Sequence, residues 1–300
     1  MSTRYRSGIV ALVGRPNVGK STLLNRLVGQ KVSITSRKAQ TTRQRILGIS
    51  TTDTSQVVYV DTPGIHSGAK KTINRYMNRS ASGSMVGVDC IVLMIEAGGW
   101  TDNDRRVLEL VRKQGTPIVL VINKLDRLES RGLLLPLIDR TESEFETVFS
   151  QIVPISAKND TNIDELKKVL ETYILVQDKL FPGDEITDRS DRFLVAELIR
   201  EQVFRNIEQE VPHAVAVGIE AFRMEKKVLH IEAVIWVEKA GQKGILIGKK
   251  GERLKLIGKR ARQQIEKLLG NKVYLNLWVK VRENWRDNEQ VLRTLGFGDE

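Results

Sequence analysis

The sequence has very few residues of the kinds that form disulfides or zinc sites. Of its 300 residues one is a cysteine, Cys90, and three are histidines, His66, His213 and His230, which lie far apart. A single cysteine excludes an intramolecular disulfide and a cysteine metal cluster, and scattered histidines argue against a zinc site. Because Cys90 lies within an apolar run, we expect it to be a small buried core residue rather than a reactive thiol.

Long hydrophobic runs are also lacking. No apolar stretch approaches the roughly 20 residues that a helix needs to span a bilayer. The N-terminal segment carries Arg4 and Arg6 but no apolar stretch adequate for a signal peptide. These features predict a cytoplasmic protein.

Acidic residues are outnumbered by basic ones. There are 48 Lys and Arg residues against 37 Asp and Glu, which leaves a net charge of +11 and an isoelectric point near 9.7. Such an excess favours a polyanionic partner, either a nucleic acid or an anionic membrane surface. The length suggests two domains, and 41% hydrophobic residues is ordinary for soluble globular proteins.

A phosphate-binding motif begins at Gly14. Residues 14–21 match the G-x-x-x-x-G-K-[S/T] loop that cradles a nucleoside triphosphate, and they lie between a predicted buried strand and a predicted helix. We expect Lys20 to reach the β- and γ-phosphates and the Ser21 hydroxyl to bind Mg²⁺. The predicted nucleotide-binding residues here are Gly14, Arg15, Pro16, Asn17, Val18, Gly19, Lys20, Ser21 and Thr22.

A second motif, Asp61-Thr62-Pro63-Gly64, follows an apolar strand candidate. The Asp61 carboxylate would hold Mg²⁺ while the Gly64 N–H contacts the γ-phosphate, although these residue types also form ordinary turns. Ras-type GTPases have a glutamine directly after this glycine to orient the attacking water, whereas this chain has Ile65. Because isoleucine cannot hydrogen-bond water through its side chain, we expect slow intrinsic hydrolysis.

Two motifs further along the chain narrow the nucleotide to GTP. In Asn123-Lys124-Leu125-Asp126, the Asp126 carboxylate would accept two hydrogen bonds from guanine that adenine cannot donate. Lys124 would lay its aliphatic stem along the base plane. In Ser156-Ala157-Lys158, the Ala157 N–H would donate to the guanine carbonyl oxygen. Four motifs in this order at strand ends predict a translation-factor-type GTPase.

A switch segment is predicted between the first two motifs, at Gln40-Thr41-Thr42-Arg43. Such a segment needs a hydroxyl that joins Mg²⁺ only when the γ-phosphate is present. We assign that hydroxyl to Thr42, with Thr41 as the alternative, while a solvated polar loop is the competing interpretation. The predicted Mg²⁺ ligands are therefore Ser21, Thr42 and Asp61.

The periodicity predicts two folded parts. Short apolar strands at 9–13, 57–61, 91–95, 118–122 and 152–155 alternate with helical stretches, which is typical of a doubly wound α/β domain. After a charged stretch, helix, strand, strand, helix, helix and strand patterns follow one another from residue 191. The predicted organisation is a GTPase domain at 1–175, a linker at 176–190, a smaller α+β domain at 191–285 and a tail at 286–300.

The positive charge is concentrated in the second part. From Lys239 to Arg282 there are thirteen Lys or Arg residues and two acids, a net charge of +11 in 44 residues. Glycines flanking two lysines at 248–251 would let single-stranded phosphates approach the start of a helix. A second match to G-x-x-G at 241–244 has less support, and a solvent-facing basic hairpin is the competing interpretation. The predicted RNA-binding residues are Ile247, Gly248, Lys249, Lys250, Gly251, Arg253, Lys255, Lys259 and Arg260.

Two tryptophans in this part are candidate base-stacking platforms, Trp278 and Trp285. The alternation of apolar residues along 273–281 favours core packing for Trp278.

The combined motifs resemble those of the Era family of bacterial GTPases, which join a P-loop GTPase domain to a type II KH domain. The resemblance rests on the phosphate loop, on Ala39-Gln40-Thr41-Thr42-Arg43, on 186–190 and 241–243, and on Leu277-Trp278-Val279-Lys280-Val281. It implies a factor for assembly of the 30S ribosomal subunit that binds the single-stranded 3′ end of 16S ribosomal RNA through Gly248–Gly251, with GTP favouring the RNA-binding form. It also implies peripheral contact with the inner membrane.

Resemblance to GTPases with Pro-Asn-Val in the phosphate loop further implies that Asn17 helps to hold a K⁺ ion beside the phosphates. The alternative is that Asn17 only caps the turn. Two other functions stay open: an RNA-binding module whose nucleotide is structural, and a membrane-surface signalling GTPase. The sequence has no coiled-coil heptads and leaves the oligomeric state open, and a monomer is our expectation.

Overall fold

The computed structural model describes residues 4–36, 38, 41–64, 72–207 and 214–294. The chain divides into two compact units, the first comprising residues 1–33, 42–69 and 77–188, and the second comprising residues 34–41, 70–76 and 189–300. Ile65 and Gln40, both predicted site residues, lie outside the described residues. Within the described ranges, no helix combines the length and apolar character needed to cross a membrane.

The elements up to residue 176 alternate strands and helices. They are β1 (Arg6–Val13), α1 (Lys20–Val28), β2 (Ile46–Thr51), β3 (Ser55–Asp61), α2 (Thr72–Gly83), β4 (Cys90–Glu96), α3 (Asp102–Arg112), β5 (Ile118–Asn123), α4 (Leu134–Glu144), β6 (Gln151–Pro154), α5 (Ile163–Glu171) and β7 (Leu175–Val176). The sheet order is β2-β3-β1-β4-β5-β6, and β7 pairs with β1 off this path.

The central strands are parallel and buried on both faces. β1 pairs in parallel with β3 and β4, and β5 pairs in parallel with β4 and β6. Residues 10–13, 91–95 and 119–122 have 0% exposure, which explains their continuous apolar runs. Because these strands are parallel, the loops at their carboxyl ends meet at one edge of the sheet, where the predicted nucleotide motifs lie.

Two strands were not predicted from the sequence. β2 pairs antiparallel with β3, and the two-residue β7 pairs antiparallel with β1. The predicted linker is also hydrogen-bonded to this sheet. Gln56 Oε1 accepts from the N–H groups of Leu180 and Phe181 at 2.8 and 2.9 Å, and Ile49 N–H donates to Ile186 O at 2.9 Å. Residues 176–188 of the predicted linker therefore belong to the first unit, and the exact domain boundaries stay a prediction.

The rest of the chain follows the predicted order α-β-β-α-α-β. Its elements are α6 (Asp191–Asn206), β8 (Ala216–Glu225), β9 (Val228–Val237), α7 (Ala240–Ile247), α8 (Glu252–Leu269) and β10 (Lys272–Val281), followed by the short α9 (Glu289–Thr294). β9 is central, parallel to β10 and antiparallel to β8. Alternate β9 residues Ile231, Ala233 and Ile235 belong to one buried core with residues of α8.

The two tryptophans behave differently from the expectation. Trp278 is 38% exposed, so its predicted core position is wrong. The odd-numbered residues Val273 and Val279 of β10 are buried in the core, and Trp278 points to the other face because side chains alternate along a strand. Trp285 has 0% exposure, and its Nε1–H donates to Ala214 O at 3.0 Å, so it is not available as a stacking platform.

Helix α6 buries charged side chains because the second unit includes residues 34–41. Arg200 is 3% exposed and its Nη2 donates to Thr41 O at 2.5 Å. Glu201 has 0% exposure and its Oε1 accepts from Thr35 N–H at 3.1 Å. These partners, together with the ion pair between Arg200 and Glu197, offset part of the cost of burying the charged groups.

Candidate functional site

The predicted phosphate loop connects β1 to α1. Helix α1 begins at Lys20, and Gly19 precedes it with φ of 110° and without a side-chain cap, so backbone N–H groups remain at the helix start for phosphate oxygens. A Cβ on Gly19 would come 2.3 Å from Asn123 Nδ2, which requires glycine here. Lys20 Nζ donates to Gly14 O at 2.9 Å and Arg15 O at 3.0 Å, and burial lowers the pKa of Lys20 to about 8. The loop therefore presents a buried amine beside a helix N-terminus.

The three predicted Mg²⁺ ligands lie together. Ser21 Oγ is 2.7 Å from Asp61 Oδ2 and 2.7 Å from Thr42 Oγ1. Ser33 Oγ, which we did not predict, donates to the same carboxylate oxygen at 2.9 Å. Asp61 has 0% exposure, and burial raises the pKa of its carboxyl although Lys20 and the hydroxyls oppose the shift. A fully buried carboxylate with these neighbours is poised for a cation.

These residues fit Mg²⁺. Asp61 Oδ1 is buried and has no hydrogen-bond partner within the described part of the chain. An unpaired buried carboxylate oxygen costs about 1–3 kcal/mol or more, and a bound cation would satisfy it. Carboxylate and hydroxyl oxygens are the hard ligands that Mg²⁺ takes together with phosphate oxygens and water. In the described ranges no three His, Cys, Asp or Glu residues cluster as a self-contained metal site.

Around this cluster the structure separates the two switch threonines. Thr42 Oγ1 lies beside Ser21 and Asp61, whereas Thr41 Oγ1 donates to Lys38 O at 2.7 Å. Gly64 lies so close to the phosphate loop that a Cβ there would come 2.8 Å from Pro16 Cγ. Thr42 rather than Thr41 therefore has the position that the predicted metal role requires.

The loops after β5 and β6 are tied to the phosphate loop through Asn123. Its Nδ2 donates to Val18 O at 2.8 Å and its Oδ1 accepts from Ala157 N–H at 3.0 Å. The Ala157 N–H, predicted to face guanine, thus already has an acceptor in the protein. Asn123 is 3% exposed, and its buried side chain holds the phosphate loop and the loops after β5 and β6 at a fixed spacing.

Asp126 is oriented by the Ser156-Ala157-Lys158 segment. Ser156 Oγ donates to Asp126 Oδ1 at 2.6 Å, and Lys158 Nζ lies 3.7 Å from Asp126 Oδ2. The hydrogen bond from Ser156 lowers the pKa of the Asp126 carboxyl, with burial opposing it. An ionised carboxylate accepts hydrogen bonds and donates none, as recognition of two guanine N–H groups requires.

Sequence reasoning missed two residues that brace these loops. Arg26 of α1 donates from Nε to Ala157 O at 3.1 Å and from Nη2 to Lys158 O at 2.9 Å. Glu96, the last residue of β4, accepts from Lys124 Nζ at 2.6 Å and lies 3.2 Å from Arg15 Nη2. Arg15, predicted only as part of the phosphate loop, thus directs its side chain to carboxylates. The feature of the sequence that could have indicated a role for Glu96 was its position at the end of an apolar strand.

In the second unit, the glycines 248 and 251 form the turn between α7 and α8. Gly248 has φ of 73°, Lys250 of 49° and Gly251 of 79°, so three of four residues adopt the left-handed region. A Cβ on Gly248 would come 2.8 Å from Arg253 Cβ. The second match, 241–244, lies inside α7 instead. The turn therefore has the compact backbone that close approach of a phosphate chain needs.

The surroundings of this turn combine cations with apolar surface. The side chains of Lys249, Lys250, Lys255 and Lys259 are exposed. Ile245 is 40% exposed and Leu256 is 41% exposed on the two flanking helices. Not every predicted cation is free, since Arg253 Nη1 donates to Ile245 O at 2.5 Å and Arg260 Nη1 to Asn206 Oδ1. This surface can contact phosphates and stack against bases.

Two family models match the chain. A model described as a 50S ribosome-binding GTPase matches residues 9–124, and a KH-domain model matches residues 210–286. The GTPase Era of Coxiella burnetii strain Dugway 5J108-111 is 51% identical over 290 residues, covering 97% of this chain and 97% of that protein. The GTPase Era of Pseudomonas aeruginosa strain LESB58 is 49% identical over 294 residues, covering 98% and 96%.

Two solved structures match nearly the whole chain. One is Era in complex with MgGDPNP and nucleotides 1506–1542 of 16S ribosomal RNA, and the other is an Era variant from Aquifex aeolicus bound to GDP and AlF4⁻. Each is 42% identical, with a TM-score of 0.95, and the match covers 98% of this chain and 100% of the solved one. The predicted fold, a P-loop GTPase domain followed by a KH domain, is confirmed.

Proposed function

The chain belongs to the Era family of GTPases, and we propose that it is an assembly factor for the small ribosomal subunit whose affinity for RNA is higher when GTP is bound. The carrying observation is the match, over 98% of the chain, to a relative solved with both a GTP analogue and nucleotides 1506–1542 of 16S ribosomal RNA. A nucleotide site and an RNA site in one chain are the two parts that such a device needs.

Ser21, Thr42 and Asp61 would hold Mg²⁺ beside the phosphates, and the relative solved with MgGDPNP supports this metal. Bound Mg²⁺ neutralises charge that develops on the phosphates during transfer. Lys20 and the N–H groups at the start of α1 would bind the phosphate oxygens, while Asp126 would select guanine. Thr42 Oγ1 lies beside Ser21 and Asp61, and its segment would contact the γ-phosphate, so the position of Thr42 would depend on which nucleotide is bound.

The RNA ligand is the single-stranded 3′ end of 16S ribosomal RNA within the 30S subunit. The turn at 248–251 would take its phosphates, and the exposed Lys249, Lys250, Lys255 and Lys259 would supply the charge, together with Arg253 and Arg260. Ile247 and the neighbouring apolar side chains would contact bases.

The test is binding of a single-stranded RNA carrying that 3′ end, first with GDP and then with a non-hydrolysable GTP analogue. We expect clearly tighter binding with the analogue, and loss of binding when Gly248 and Gly251 are both replaced by Asp. Gly241→Asp with Gly244→Asp is the matched control, because it adds the same charge at the same spacing inside α7, where a Cβ meets nothing within 4 Å. Equal affinity in both nucleotide states would reduce the nucleotide to a structural ligand.

A finer proposal concerns K⁺. Asn17 is exposed and adopts φ of 67° in the phosphate loop, which makes its side chain available to an ion beside the phosphates. K⁺ should raise GTP turnover relative to Na⁺ at equal ionic strength, and Asn17→Ala should abolish the difference. Equal rates for the wild-type protein in both salts would leave Asn17 as a turn residue only.

We also infer a monomeric protein that works in the cytoplasm, with peripheral rather than integral contact at the inner membrane. Size-exclusion chromatography with light scattering tests the first point. Flotation with vesicles containing anionic lipid, with and without competing RNA, tests the second. Binding to vesicles that RNA does not displace would favour a signalling GTPase that uses its basic surface on lipids.

A further inference from the structure

Glu96 lies close to three cations, Arg15 of the phosphate loop, Lys124 of the Asn123–Asp126 motif and Arg127, which directly follows that motif. It ends β4, and its Oε1 accepts from Lys124 Nζ at 2.6 Å and lies 3.2 Å from Arg15 Nη2. Its Oε2 lies 3.8 Å from Arg127 Nη1. The side chains of Glu96 and Lys124 are 22% and 17% exposed, so water screens this pair only in part. One carboxylate thus links the phosphate loop to the loop predicted to bind guanine.

Arg15 is held from a second side as well. Its Nε donates to Asp104 Oδ2 at 3.2 Å, and the Asp104 carboxylate also accepts from Thr101 N–H and Oγ1 in the N-terminal cap of α3. Asp104 is 1% exposed. These contacts hold the Arg15 side chain in one position. Because Glu96 contacts both Arg15 and Lys124, it positions the Lys124 amine relative to Arg15.

Lys124 needs such a support. Its backbone adopts φ of 71°, in the left-handed region that is unfavourable for a residue with a Cβ. Burial lowers the pKa of its amine, and the hydrogen bond that the amine donates to Glu96 opposes that shift. An amine on four rotatable bonds has many conformations, and the contact with Glu96 selects one of them. The selected conformation determines where the aliphatic stem of Lys124 lies.

We propose that Glu96 is a positioning residue for the guanine nucleotide, acting through Lys124. It holds the aliphatic stem of Lys124 where the guanine base would stack. It also keeps the loop after β5 at a constant distance from the phosphate loop. This inference rests on the proposed role of Lys124 in nucleotide binding. It differs from the role of Asn123, which ties the same loops through backbone groups, because Glu96 controls a side chain that would touch the nucleotide.

The first test is the dissociation rate and dissociation constant of a fluorescent GDP in the Glu96→Gln protein. Loss of a charge-assisted hydrogen bond should weaken GDP binding about 10-fold or more, mainly through faster release. Glu144→Gln is the matched control, because Glu144 forms an ion pair with Arg105 in the same unit, away from the nucleotide motifs. It should bind GDP within about twofold of the wild-type protein. Equal behaviour of the Glu96 and Glu144 variants would overturn the inference.

A double variant separates positioning from general stability. If Glu96 acts through Lys124, Glu96→Gln should have little further effect in a Lys124→Met background. A full effect in that background would contradict the proposal.

A nucleotide-free measurement covers the case in which Lys124→Met no longer binds GDP. Without Glu96 the amine loses the partner that favours its charged form, so mass spectrometry should find Lys124 acetylated several-fold faster in Glu96→Gln than in Glu144→Gln. Equal acetylation would show that Glu96 does not hold the lysine. Failure of the wild-type protein to bind GDP would instead refute the proposed function.

Discussion

Replacing Asn123 by Ala should destabilise the first unit by several kcal/mol and weaken its hold on guanine nucleotides. The side chain is 3% exposed and connects Val18 O to Ala157 N–H through hydrogen bonds of 2.8 and 3.0 Å. Val18 and Ala157 are themselves 0% and 1% exposed. Neither backbone group would therefore regain a partner from bulk water in the variant.

The magnitude follows from these two groups. A buried donor or acceptor left without a partner costs about 1–3 kcal/mol, so two of them should cost about 2–6 kcal/mol. That is a large part of the 5–15 kcal/mol typical for a folded domain. Entry of a water molecule into the vacated space would place the result near the lower end. The loops after β5 and β6 would also lose their common anchor to the phosphate loop.

Urea unfolding, with and without GDP, is the appropriate assay. The transition that GDP moves to higher urea belongs to the unit that binds nucleotide, so its midpoint isolates the first unit. Asn123→Asp keeps an acceptor for Ala157 N–H but removes the donor to Val18 O and places a carboxylate near that carbonyl. It should be at least as destabilising as Asn123→Ala.

Gln114→Ala is the control, because Gln114 lies in the same unit and its side chain donates an exposed hydrogen bond to Leu110 O at 3.3 Å. It should change stability by less than about 0.5 kcal/mol. A loss below about 1 kcal/mol for Asn123→Ala would refute the assignment of Asn123 as the common anchor of the three loops.

Inosine triphosphate lacks the exocyclic amine of guanine, so the protein should bind it about 10- to 100-fold more weakly than GTP, and Asp126→Ala should remove most of that difference in measured dissociation constants. Burial raises the pKa of the Cys90 thiol from 9.0 to about 12, so iodoacetamide at pH 8.5 should label folded protein at under about 1% of the rate in urea. Because the unfolded thiol ionises first, the contribution of Cys90 to stability should fall as pH rises from 9.0 towards 12. Trp285→Phe removes the hydrogen bond to Ala214 O and should destabilise the second unit by about 1–2 kcal/mol in urea unfolding, whereas Trp278→Phe should have a smaller effect.

The sequence alone determined the order and type of most elements and the chemistry of the nucleotide motifs. Buried parallel strands have continuous apolar runs, and a phosphate loop requires glycines at set positions, so both are visible in a short window. The turn at 248–251 was likewise predicted in place, because glycines between two helical patterns interrupt the periodicity. These features depend on neighbours in the chain.

Features that depend on distant residues were decided only by the tertiary structure. The short β2 has no distinctive pattern of its own and is defined by pairing with β3. The direction of Trp278 depends on which face of β10 the helices cover. The pairing of Glu96 with Lys124 and Arg15 requires two parallel strand ends to meet at one edge of a sheet. Local sequence patterns report propensity and periodicity, but contacts between residues 28 or 81 positions apart are set by the topology of the whole sheet.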